Sequence, residues 1–148
     1  VKKIWEISKL KEEKSNVKSV LNGVPKSLPS AIKAFRIQEK AAGVGFEWKS
    51  KDDVWLKVQE ELEEFKNEVI IGNKSSIEKE FGDVIFSLIN YARFLKINPE
   101  VSLERTNKKF INRFQFMENE ARKNNNELSD LNLNKMEEYW ELSKKNYS

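Results

Sequence analysis

A chain of 148 residues with 39% hydrophobic and 11% aromatic content is long and apolar enough for one domain with a packed core. It contains neither histidine nor cysteine, which excludes histidine general-base catalysis, Ser-His-Asp and Cys-His triads, Cys/His zinc sites and disulfides. Lys and Arg number 27 against 24 Asp and Glu, and the resulting formal charge of +3 is too small to demand a nucleic acid or a membrane surface. Any catalysis falls to carboxylates, lysines, hydroxyls or an oxygen-bound metal.

No apolar run approaches the roughly 18 residues needed to cross a bilayer, and Val1 to Glu6 lacks the apolar core of a signal peptide, so the chain reads as cytosolic. A start at Val1 fits a processed chain or a piece of a longer one. Five Gly and three Pro fall between segments of helical period and no strand-like alternation occurs, so an all-α domain is expected. A short charged helix covers about residues 2–14, and Ser15 to Pro29 reads as a linker, making 1–29 an appendage to a domain over 30–148. Ser30 to Ala42 is helical and stops at Gly43 and Gly45. Ser50, with Asp53 three residues on, starts a helix to about Ile71, where Gly72-Asn73 supplies the stop. Ser75 with Glu78 opens the next, to about Lys96. Asn98-Pro99 begins a third long helix to about Lys123, ended by Asn124-Asn125-Asn126. Asn134 with Glu137 opens the last, through Trp140 to about Lys145.

The densest chemistry is Glu60-Glu61-Leu62-Glu63-Glu64 followed by Glu80-Phe81-Gly82-Asp83. At about 100° per residue, Val54, Val58, Leu62, Phe65 and Val69 form a core-facing stripe, with Glu61 and Glu64 on its shoulder and Glu60 and Glu63 pointing outward. The following helix centres its core on Ile77, Val84, Leu88, Tyr91 and Leu95, with Glu80 and Asp83 on its shoulder. Each acid pair has i, i+3 spacing, and both pairs lie equally far in sequence from Gly72. An antiparallel hairpin folded there brings the pairs level, about 12–16 Å from the turn at 1.5 Å per residue. Four carboxylates converging beside a core repel one another unless a cation joins them, and all-oxygen ligation suits Mg²⁺, with Mn²⁺ as a substitute. Such an ion commonly also holds substrate phosphates. Arg105, Lys109 and Arg113 form a basic line on the third long helix beside an apolar line of Phe110, Phe114, Met117 and Ala121, and Lys57 lies one turn before Glu61.

Glu61-x-x-Glu64 and Glu80-x-x-Asp83 resemble the E-x-x-E…E-x-x-D signature of the all-α nucleoside triphosphate pyrophosphohydrolases. The flanking segments resemble the MazG branch: Gly23 to Pro29, Arg36 to Ala42 with Val44-Gly45-Phe46-Glu47-Trp48, Phe81 to Phe86, and Thr106 to Phe110 with Arg113-Phe114. The resemblance covers about residues 20–118 and is to the C-terminal of two related MazG domains. It implies Mg²⁺-dependent hydrolysis of a nucleoside triphosphate to the monophosphate and pyrophosphate, by attack of a metal-bound water on the α-phosphorus, in a helical bundle completed by homodimerisation. It implies that Glu61, Glu64, Glu80 and Asp83 are metal ligands and that Lys109 and Arg113 are triphosphate contacts. Lys57 and Glu60 fall in a segment that lines the nucleotide site in the family, and Trp140 resembles a tryptophan that contacts the nucleotide. Lys79 stands where a further Glu is common, so its ammonium can replace an ion or weaken metal loading. The alternative function is a catalytically weakened nucleotide-binding or interaction module. Neither a membrane nor a nucleic acid is an expected partner.

Overall fold

The computed structural model describes residues 2–12 and 19–148, which form six α-helices, two short 3₁₀ turns and no strand. No described helix is long and apolar enough to cross a membrane. The chain divides into two compact units, Val1–Glu100 and Val101–Ser148. The expected end of the first helix at residue 14 and the residues 15–18 of the expected linker lie outside the described residues; the rest of that linker contains a 3₁₀ turn over Val20–Gly23.

The first unit holds α1 (Lys2–Glu12), α2 (Ser30–Gly43), α3 (Lys51–Ile71) and α4 (Lys74–Phe94). An extended Ser50 accepts the Asp53 N–H and satisfies one of the unpaired donors at the start of α3. The end of α3 needs a left-handed residue, and Gly72, at φ +88°, supplies it at no steric cost while its N–H returns to the Glu68 carbonyl. Asn73 follows at once as the N-cap of α4, its side chain accepting the Ser76 N–H. The cap is thus Asn73, two residues before the expected Ser75, because the tight Gly72 turn leaves the first extended residue at 73.

Two aromatic pairs fix the antiparallel register of this hairpin. Trp55 meets Tyr91 at 5.2 Å between ring centroids, and Phe65, ten residues further along α3, meets Phe81, ten residues earlier on α4, at 5.5 Å. The α3–α4 contact is the most extensive between any two helices, and α2 packs on α4 and α1 on α2. Val54 and Val58 are fully shielded and Val84 and Ile89 nearly so. The buried row on α3 is Val54, Val58, Glu61. Leu62 and Val69, expected in the core, are 44% and 51% exposed in the single chain, so the buried part of the α3 stripe is limited to Val54, Val58 and Glu61. Buried Gln38 donates from Nε2 to the Phe86 carbonyl at 2.8 Å and ties α2 to the middle of α4. Two residues further along α2, Lys40 pairs with buried Glu6 of α1 at 2.9 Å.

The second unit comprises most of α5 (Pro99–Lys123), a 3₁₀ turn over Leu128–Asp130, and α6 (Leu133–Lys144). Asn125, at φ +59°, ends α5 in the left-handed region, and Asn124 donates to both the Glu120 carbonyl and the Tyr139 hydroxyl. Met117, Ala121, Leu128 and Tyr139 form its core. Asn132, which accepts the Lys135 N–H, is the N-cap of α6 in place of the expected Asn134.

Candidate active site: a carboxylate cluster on a helical hairpin

Glu61 and Glu64 lie one turn apart near the middle of α3, and the Gly72-Asn73 turn folds α4 back so that Glu80 reaches them. One carboxylate oxygen from each of Glu61, Glu64 and Glu80 lies within 4.8 Å of the other two. Asp83, one turn beyond Glu80 and exposed, lies outside this group of three. The three acids differ in environment. Glu61 is 7% exposed, Glu80 is half-buried and Glu64 is open to solvent.

Lys57 Nζ sits 2.9 Å from Glu61 Oε1 and 3.4 Å from Glu60 Oε1. The Glu61 hydrogen bond, opposed by burial and reinforced by Glu60, holds the Lys57 ammonium above its ordinary value, so it stays charged at neutral pH. Glu64 is pushed up from the usual carboxylate range, first by repulsion from Glu61, then by desolvation and by Glu80. The cluster therefore carries more negative charge than Lys57 offsets.

Two oxygens of this group, Glu61 Oε2 and Glu80 Oε2, are buried without a hydrogen-bond donor. A carboxylate oxygen removed from water and left unpaired is costly, so two such atoms beside a third acid imply a missing partner of positive charge. The donor set is oxygen only, which suits a hard divalent cation and not zinc or copper in a soft site. Glu61, Glu64 and Glu80 could hold it.

The remaining predicted residues are placed as follows. Glu60 and Lys79 are exposed on α3 and α4. In the second unit, Arg113 Nε donates to the Tyr147 carbonyl at 2.8 Å, and its guanidinium lies 5.3 Å from the Trp140 ring centre. Trp140 also meets Phe110 at 5.5 Å and packs against the Met117–Tyr139 core, so its indole anchors α6 on α5. Lys109 is half-buried on α5. Two further polar contacts have no counterpart among the expected site residues: the Gln38 hydrogen bond to α4, and the ion pair of Arg93 with Glu47 at 2.6 Å. A polar residue at an otherwise apolar helix position was the available signal for Gln38.

These features define an all-α protein whose long helical hairpin carries a cluster of three carboxylates. Residues 50–117 match the MazG nucleotide pyrophosphohydrolase domain, from the Ser50 cap of α3 through α4 and most of α5, so this chain carries a MazG domain. It is 38% identical over 142 residues to the nucleoside triphosphate pyrophosphohydrolase/pyrophosphatase MazG of Thermotoga maritima, which covers 96% of this chain and 54% of that protein. It is 34% identical over 144 residues to the nucleoside triphosphate pyrophosphohydrolase of Escherichia coli K12, covering 95% of this chain and 55% of that one. The Bacillus subtilis uncharacterized protein YabN is 43% identical over 141 residues, 95% of this chain and 29% of YabN. The chain thus spans about half the length of the first two relatives.

Proposed function

We propose that this chain hydrolyses nucleoside triphosphates to the monophosphate and pyrophosphate with Mg²⁺, or Mn²⁺ in its place, held by Glu61, Glu64 and Glu80. The observation that carries this reading is that Glu61 and Glu80 each keep one buried, donorless oxygen in a group whose carboxylates come within 4.8 Å of one another and of Glu64. Asp83 lies next in the i, i+3 series on α4 and is proposed to join the ligand set when the site is loaded. A hard divalent ion supplies charge neutralisation of phosphate oxygens and a lowered pKa of bound water. The chain's own contribution is placement: burial fixes Glu61 and half-buried Glu80 as acceptors, and exposed Glu64 completes the oxygen donor set on the open side of the site. Lys57, Lys109 and Arg113 are proposed to bind the triphosphate, Glu60 and Lys79 to border the nucleotide site, and Trp140 to contact the nucleotide. With Lys79 in place of a carboxylate, the proposed complement of metal ions is reduced.

The exposed apolar residues of the hairpin, among them Leu62, Phe81, Ile85 and Leu88, each at least 40% exposed in the single chain, support a homodimer that covers them. Sedimentation at micromolar concentration should give twice the monomer mass, and a stable monomer would remove this part of the proposal. The activity is tested by incubating the protein with ribo- and deoxyribonucleoside triphosphates and Mg²⁺ and resolving the products. Monophosphate and pyrophosphate are expected. Diphosphate with orthophosphate would refute the reaction, and nucleotide binding without turnover would favour a sensing module.

A further inference from the structure

We propose that Lys57 is the internal counter-cation of the carboxylate cluster: it occupies one oxygen of Glu61 while no divalent ion is bound and releases that oxygen when one enters, and so sets how readily the site loads. This inference rests on the metal-binding reading above. The two oxygens of Glu61 are in different states. Oε1 receives the Lys57 ammonium at 2.9 Å, whereas Oε2 is buried and has no donor. The Glu61 side chain is only 9% exposed, so without Lys57 a buried carboxylate would face Glu64 and Glu80 without its ion-pair partner.

The arrangement is suited to exchange. Lys57 lies one turn before Glu61 on the same helix, and its flexible four-carbon stem carries a compact point charge. Glu60 offers that charge a second seat, since its Oε1 is already 3.4 Å from Nζ and its side chain is 56% exposed. Lys57 can therefore leave Glu61 by a small rotation and remain paired at the rim of the site. An ammonium that stayed on Oε1 would sit within a few ångströms of an ion ligated by Glu61 and repel it. A lysine placed only to meet substrate phosphate would have no need of the buried acid. Its position on Glu61 instead couples entry of the ion to release of a cation at the edge of the cluster, where an anionic substrate would meet it.

The test is Mn²⁺ binding to the full chain without nucleotide, followed by calorimetry and by electron paramagnetic resonance of free Mn²⁺. Lys57→Met should tighten Mn²⁺ binding on the order of tenfold or more, the scale of losing a unit charge a few ångströms from the incoming ion. Lys57→Arg should restore an affinity close to wild type, because the competing charge is retained. The metal-free Lys57→Met protein should melt below wild type, and saturating Mn²⁺ should close that gap. If Lys57→Met folds poorly, Lys57→Gln carries the same expectations. Unchanged or weakened Mn²⁺ binding in the neutral variants, with wild type binding normally, would overturn the role of Lys57 alone. Absence of Mn²⁺ binding by wild type would overturn the metal site itself and this inference with it.

Discussion

Glu61→Leu should stabilise the metal-free protein and abolish its turnover. Glu61 occupies a core position on α3, 7% exposed, in the row that begins with Val54 and Val58. Its Oε2 atom is buried without a donor, a state that costs about 1–3 kcal/mol relative to a satisfied group. One of its oxygens lies within 4.8 Å of a Glu80 oxygen, where like charges at an effective dielectric of 20 repel by about 3.5 kcal/mol or more before solvent at the half-buried Glu80 screens them. Against these terms stands the Lys57 ion pair, whose lysine is 36% exposed and screened by solvent, so its loss costs no more than about 1 kcal/mol. Leucine has similar volume, and replacing a buried charge with a packed apolar group is commonly neutral or favourable. Because Glu80 is half-buried and solvent screens most of that repulsion, the expected net gain is about 1–2 kcal/mol, and for a unit of this size Tm rises by about 4–8 °C per kcal/mol. Circular dichroism melts in EDTA measure it, and pyrophosphate release with Mg²⁺ should fall by on the order of 100-fold or more. A Glu61→Leu protein that melts well below wild type in EDTA would show that the carboxylate is a satisfied structural group, and the argument from orphaned oxygens would fail.

Glu64→Gln should raise the metal-free Tm at neutral pH and lose that advantage in acid. Its folded pKa is raised, so the repulsion it suffers from Glu61 and Glu80 is present above that pKa and vanishes as Glu64 protonates below it. Melts of both proteins across this pH range measure the difference, and a gain that persists in acid would contradict the electrostatic cause. Gly72→Ala should cost about 1–3 kcal/mol in chemical denaturation, purely from the φ of +88°, since no atom lies within 4 Å of the added Cβ. Asn73→Ala should cost about 1 kcal/mol by removing the α4 cap, and an unchanged midpoint would deny it that role. Lys109→Ala should raise KM for triphosphates by about tenfold if it meets the phosphates, while equal kinetics would remove it from the site. It is a cleaner probe than Arg113, whose contacts with Tyr147 and Trp140 also support α6.

The helices and the hairpin that unites the acids were legible because strong local signals mark them: Ser50 before α3, Gly72 after it, Asn98-Pro99 before α5. Cap identity was less so, since Ser75 with Glu78 and Asn134 with Glu137 fit capping patterns, whereas the chain uses Asn73 and Asn132. The depth of burial along α3 was less legible than its period, for a physical reason. Leu62 and Val69 extend the apolar stripe of Val54 and Val58 to one side, and a periodicity argument counts every apolar residue as core. In the single chain Glu61 is buried and Leu62 is 44% exposed, on the apolar surface that the proposed homodimer would cover. Trp140 shows the same limit from the other side. An aromatic that resembles a nucleotide contact in sequence is, within its own unit, packed against Phe110 and Arg113.

The central claim is that Glu61, Glu64 and Glu80 form a divalent-metal site for splitting triphosphates at the α-phosphorus. A single product measurement tests it most directly: a triphosphate panel with Mg²⁺, with EDTA, and with Glu64→Gln, resolved for monophosphate, diphosphate, pyrophosphate and orthophosphate. Equal amounts of monophosphate and pyrophosphate with Mg²⁺, and almost none in EDTA or from the variant, are the expected result. Diphosphate with orthophosphate, or turnover unaffected by EDTA and by Glu64→Gln, would contradict it.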